Sequence, residues 1–306
     1  MRWFASSSTG PGSDAVVDGG PLLTPALLGA VSGLELVSLA RRRRSIEGAH
    51  PALRHGREEE FFQHRPYVLG DDLRAVDWRA SARTSHLLLK ERHQPSRRPL
   101  TLLLDTSASM AFPEQSSKLR QAKVLAAALA FLALRRGDAV ELHSLRGSRF
   151  EKIARWKPAP RFLHSLSRVM APLGASGDGD LPSALSAAGT SALRHGLVVV
   201  LSDLYGDEER LLSALSAIRR AAEVAVLHIL SPAERRIPAG LSALQELEGG
   251  SVVSLDGAAL SAYASRVTAW RERLRGGARS AGADFQDADS AEPAVDVLRR
   301  WLGRVS

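Results

Sequence analysis

The chain has 306 residues, 44% of them hydrophobic, which is enough for one large α/β domain plus a smaller appendage. It has no cysteine, which excludes disulfides, thiolate metal sites and cysteine nucleophiles and fits a cytoplasmic setting. The net charge of +8 is carried almost wholly by arginine, but aromatics are 5% of residues and no nucleic-acid-reading motif accompanies the charge, so nucleic acid is an unfavoured partner.

Residues 1–20 are rich in Ser and Gly, carry Asp14 and Asp18 and lack the apolar stretch of a signal peptide; they are expected to be a disordered tail. Residues 22–40 pattern as an amphipathic helix with Thr24 as N-cap, Pro25 at its first position and Arg41 to Arg44 complementing the dipole at its end. Glu35 and several small polar residues argue against a membrane span. Attachment to an anionic membrane surface is the less favoured reading of the same segment.

Residues 21–99 form a basic part with short irregular elements, and residues 41–98 hold most of the positive excess. Inside it lies a dense block: Glu60 and Phe61, Arg65, Tyr67, Gly70-Asp71-Asp72, Arg74, Val76-Asp77-Trp78 and Ser81-Ala82-Arg83. Its alternating arginines and acids suggest internal ion pairs, with Tyr67 and Trp78 sealing a small core. Residues 87–91 read as a strand, expected to run antiparallel to residues 100–104 through a turn around Pro95.

From residue 100 to residue 306 strand and helix patterns alternate, the mark of a mostly parallel sheet covered on both faces. Strands are expected at 100–104, 139–145, 149–154, 196–201, 223–230, 251–255 and 284–287, the second and third joined as a hairpin at Gly147. Helices are expected at 118–136, stopped by Gly137, and at 161–170, 181–194, 208–221, 258–275 and 293–302.

The most informative stretch is Leu100-Thr-Leu-Leu-Leu-Asp105-Thr-Ser107-Ala-Ser109. A buried strand that delivers a carboxylate and two hydroxyls to a loop offers oxygen ligands to a hard cation such as Mg²⁺ or Mn²⁺. Asp105, Ser107 and Ser109 resemble the first motif of the metal-ion-dependent adhesion site of von Willebrand factor type A domains. Together with the preceding block, they identify the chain as similar to the bacterial and archaeal domain of unknown function 58 family. The resemblance implies a von Willebrand A-like (Rossmann-like) doubly wound sheet with a small β-containing N-terminal extension.

It also implies a metal ligand from a third loop, matched by Asp203 after the apolar strand, and a Thr from a second loop. Here the chain departs from the pattern. The corresponding stretch is Ser176-Gly177-Asp178-Gly179-Asp180, with Gly179 or Asp178 at the Thr position. Two outcomes stay open. Asp178 or Asp180 replaces the Thr and tightens cation binding, or neither does and affinity falls.

The nine histidines show no metal-binding spacing, and phosphate-loop and nucleophile-elbow motifs are absent. The leading expectation is therefore a non-enzymatic, cytoplasmic protein-interaction module. Its metal would recruit an acidic residue of a partner. The resemblance implies that a MoxR-type AAA+ ATPase is the partner, in chaperone-like maturation or remodelling of other proteins. The alternatives are a metal-dependent hydrolase or phosphatase using Asp105, and a peripheral membrane scaffold using residues 22–44.

Overall fold

Two segments of the chain are apolar at nearly every position rather than at alternate ones, and both become central strands: β4 (Leu100–Asp105) and β7 (Leu197–Ser202). Every residue of both is buried, as expected of parallel strands covered on two faces. The structure is a computed structural model and describes residues 3–5, 20–36, 61–67, 76–84, 86–92, 99–113, 117–159, 161–177, 179–191, 196–235, 243–246, 252–254 and 257–303. They fall into two compact units, residues 1–49 with 98–306, and residues 50–97.

In the larger unit six strands lie in the order β11-β8-β7-β4-β5-β6. Besides β4 and β7 these are β5 (Val140–Arg146), β6 (Arg149–Trp156), β8 (Glu223–Leu230) and β11 (Asp284–Asp289). All neighbours are parallel except β5 and β6, the hairpin expected at Gly147, whose φ is 54°.

Alternate strand residues feed two cores. Leu102, Leu104, Val199 and Leu201 pack with α3 (Lys118–Arg136), α4 (Phe162–Met170) and α9 (Ala294–Leu302). Leu103, Val198 and Val200 pack with α5 (Leu181–Thr190), α6 (Glu208–Arg219) and α8 (Gly257–Ser280). The period of two thus builds the doubly wound α/β architecture. Helix α3 runs where the sequence places it. Ser117 accepts a hydrogen bond from the Arg120 N–H at 3.0 Å, and Gly137, at φ 95°, ends it. Its alanines Ala122, Ala126, Ala127, Ala128, Ala130 and Ala133 are fully buried.

Several expectations change. The helix read over residues 22–40 is shorter: α1 spans Pro25–Val31, with Thr24 capping at 3.1 Å as expected. The chain leaves the helix at Ser32-Gly33, where glycine is a poor helix former. Leu22, Val31 and Leu36 are buried against the larger unit, so this segment, grouped by sequence with the basic part, packs with the α/β part. Residues 41–44 lie outside the described residues. Within the expected disordered tail, β1 (Trp3–Ala5) pairs antiparallel with β9 (Ala243–Glu246). The strand read over 251–255 is β10 (Val252–Ser254) and joins β9 in the same small sheet. Among the described residues no helix is long and apolar enough to cross a membrane.

The smaller unit contains β2 (Phe61–Pro66), α2 (Trp78–Ser81) and β3 (Leu88–Arg92). β3 pairs antiparallel with β2, not with β4. Both edges of β4 are already taken by β5 and β7, which leaves no ladder for a third partner. Asp77 caps α2 through the N–H groups of Arg79 and Ala80. Trp78 is 63% exposed and does not seal a core. Asp71, Asp72, Arg74 and Pro95 lie outside the described residues.

Candidate functional site at the carboxyl ends of β4 and β7

The chain leaves β4 toward β5 and β6 on one side, then returns to the other side of β4 for β7, β8 and β11. The carboxyl ends of β4 and β7 therefore form a topological switch point, where open α/β sheets place their ligands.

Asp105 closes β4 at 1% exposure. Its Oδ1 accepts the Ser107 N–H at 2.9 Å and its Oδ2 accepts the Ser202 hydroxyl at 2.6 Å. Burial, reinforced by the nearby Asp203 charge, pushes its carboxyl up to about 6 against the pull of the serine hydrogen bonds. A 3-10 turn (Ala108–Ala111) follows, and the Ser107 and Ser109 hydroxyl oxygens lie 3.1 Å apart. The second loop is tied to the first by backbone: Ser176 N–H donates to Thr106 O at 3.0 Å and Ala108 N–H to Gly177 O at 3.1 Å.

The third loop brings Asp203, fully buried, and here an unexpected cation enters. Lys118, the first residue of α3, donates to Asp203 Oδ2 at 2.8 Å and to Glu234 Oε1 at 2.6 Å, and it too is fully buried. Burial alone would draw its ammonium toward neutrality, but Asp203 and Glu234 outweigh burial and hold the group above the ordinary lysine range. The Tyr205 ring lies 5.2 Å from the ammonium, and its hydroxyl donates to Glu234 Oε1 at 3.3 Å. Glu234 Oε2 accepts from both the N–H and the hydroxyl of Ser231. Leu204, between Asp203 and Tyr205, sits at φ 56°, a conformation uncommon for a side chain of its kind.

His228, also fully buried, places Nε2 3.0 Å from the Asp203 carbonyl oxygen and Nδ1 3.1 Å from Asp287 Oδ1. Both ring nitrogens face oxygen acceptors, which leaves neither to act as a base toward the serine hydroxyls. With Lys118 held as an ammonium as well, neither of these residues is placed to take a proton from Ser107 or Ser109.

Of the six expected metal residues, Asp105, Ser107 and Ser109 converge, with Asp203 close enough to raise the Asp105 carboxyl. Asp180 caps α5 through the Ser183 N–H at 3.3 Å and meets Arg210 at 3.5 Å, and these contacts hold its carboxyl below the usual range. Asp178 lies outside the described residues. Two ligands at neighbouring corners of a Mg²⁺ octahedron with bonds of about 2.1 Å are about 3.0 Å apart, so the Ser107–Ser109 spacing fits such a cation. The charge fits less well, because Lys118 already neutralises Asp203. Among the described residues no group of three His, Cys, Asp or Glu side chains is placed to hold a metal.

Sequence reasoning missed Lys118, Ser202, Tyr205, Glu234 and His228. One signal was available: a lysine in the first turn of a helix, with no acid beside it, opposes the helix dipole and calls for a specific partner.

The chain is 29% identical over 271 residues to Rv1480 of Mycobacterium tuberculosis, which covers 86% of this chain and 85% of that protein. Among solved structures it is similar to BatB from Bacteroides thetaiotaomicron, at 17% identity, TM-score 0.45 and coverage of 68% of this chain and 98% of that one. It is also similar to a von Willebrand factor type A protein from Catenulispora acidiphila, at 11% identity, TM-score 0.42 and coverage of 69% and 42%. Residues 63–273, from β2 into α8, match the family described as Protein of unknown function DUF58, and the chain belongs to that family.

Proposed function

We propose that the chain is a non-enzymatic protein-interaction module whose binding face is the carboxyl end of β4 and β7. The observation that carries this reading is the convergence of Asp105, Ser107 and Ser109 at the switch point of the sheet, with His228 and Lys118 committed to other partners. Oxygen ligands of this kind suit recognition through a cation better than bond cleavage. In this reading Asp105, Ser107 and Ser109 would hold Mg²⁺ or Mn²⁺, and an acidic residue of the partner would complete its coordination. Burial of all three residues means that the loops open before the ion meets a partner. Lys118 lowers the local need for a cation, so affinity is weak until the partner's carboxylate arrives. In this reading the partner is a MoxR-type AAA+ ATPase, as the resemblance read from the sequence implies, with a chaperone-like role in maturing or remodelling other proteins in the cytoplasm.

The test is isothermal titration of the full chain with Mg²⁺ and Mn²⁺, repeated with Asp105→Ala and with a co-expressed MoxR-type ATPase present. Saturable binding that the substitution removes, and that the ATPase strengthens, is the expected result. An ATPase complex that survives both EDTA and Asp105→Ala would overturn the metal-bridged reading.

A further inference from the structure

We propose that a cleft at the free edge of the central sheet binds a small, multiply charged oxyanion, a ligand carrying phosphate or carboxylate groups. The cleft runs along β11, from Phe285 and Gln286 to Asp289, reaches Pro232 just after β8, and has a volume of about 770 Å³, within the range of small-molecule sites. Five arginines line it: Arg235 from α7 (Pro232–Arg235), Arg271, Arg275 and Arg279 from α8, and Arg300 from α9. The three on α8 are spaced by four residues, which stacks them along one stripe of the helix.

Only three carboxylates, Asp287, Asp289 and Glu292, share the lining with these five cations. They are not shared evenly. Arg275 is locked to Asp287, and Arg300 grips Glu292 with two hydrogen bonds. The other three are weakly held. Arg271 is 3.7 Å from Asp287 and Arg235 is 4.0 Å from Asp289, both too far for a hydrogen bond. Arg279 is exposed and makes no ion pair among the described residues.

A second observation points the same way. The Nε–H groups of Arg235 and Arg271 are buried with no acceptor among the described residues, and the Oε1 of Gln286, a residue 4% exposed in the same lining, is buried with no donor among them. Orphaned donors of this kind are rare in folded proteins, because each forfeits its hydrogen bond to water. Guanidinium forks match the geometry of phosphate and carboxylate oxygens. The site is separate from Asp105 and its serines, and it stands whether or not those residues bind a metal.

Calorimetric titration of the full chain with inorganic phosphate, pyrophosphate and citrate, at ionic strength matched with chloride, tests the proposal. Saturable binding of pyrophosphate or citrate is expected, the stronger of the two identifying a phosphate or a carboxylate source. Arg279→Gln disturbs no internal ion pair and should keep the wild-type melting temperature. Combined with Arg271→Gln it should weaken binding at least about tenfold, the loss expected for charged hydrogen bonds. Absence of saturable binding for all three anions would overturn the proposal, as would equal binding by the double variant.

Discussion

Lys118 places its ammonium 2.8 Å from Asp203, with both side chains at 0% exposure. Asp203, the acid that the sequence assigns to a metal, thus enters the site as half of an internal ion pair, with Glu234 as a second anion at 2.6 Å. Removing one partner from a buried pair leaves an uncompensated charge, which costs about 3–5 kcal/mol. Lys118→Met should therefore lower the unfolding free energy in urea by about that amount, and adding Asp203→Asn and Glu234→Gln should restore most of it. The single variant should also bind Mg²⁺ more tightly, since Asp203 then has no internal cation. A loss below about 1 kcal/mol would show that the pair contributes little.

Asp180 separates structural from ligating roles. Its carboxylate accepts the Ser183 N–H and starts α5. Asp180→Ala should cost about 1 kcal/mol of stability, as loss of an N-cap does, and leave the Mg²⁺ titration unchanged. A titration that fails with an intact melting curve would return Asp180 to the metal site.

How much of this was legible in the sequence depends on range. The ends of α3 are written locally, in Ser117 and Gly137, and structure and pattern agree there. The apolar runs of β4 and β7 announce buried parallel strands, and Asp105, Ser107 and Ser109 sit within five residues of one another. The Lys118–Glu234 contact joins positions 116 residues apart, which no local pattern encodes. The partner of β3 was misread for a similar reason: a strand's pattern shows that it needs a neighbour, not which one. The pattern pairs Trp78 with Tyr67 as the seal of a small core, yet Trp78 is 63% exposed, as large aromatics are often only partly covered.

Gly196 tests the register of the two central strands. A Cβ at this position would lie 2.1 Å from the carbonyl oxygen of Pro99, a backbone atom that precedes β4 and accepts the Leu197 N–H. Gly196→Ala should destabilise the protein by roughly 1–3 kcal/mol, the cost of forcing extra volume into packed surroundings. The urea midpoint should fall at unchanged slope. An unaltered midpoint would mean that the β4 and β7 entrances are not packed as described.

Asp287 gives the pH dependence a sign. It receives His228 on one side and Arg275 on the other. Burial raises its carboxyl, but the hydrogen bonds and charges of these two residues prevail and hold it well below the usual carboxylate range. In the unfolded chain an Asp titrates at about 3.9. The folded state therefore binds this proton less readily than the unfolded state does, and the stabilisation is complete above about pH 4 and lost as the pH falls below it. Asp287→Asn should accordingly be less stable than wild type at pH 7 and pH 5, with the gap between them closing steadily below about pH 4. Urea unfolding of both proteins at pH 7, 5, 4 and 3 reads this directly. A gap that stays constant into acid would mean that the carboxylate charge contributes nothing, and that packing and hydrogen-bond geometry hold His228 and Arg275 in place instead.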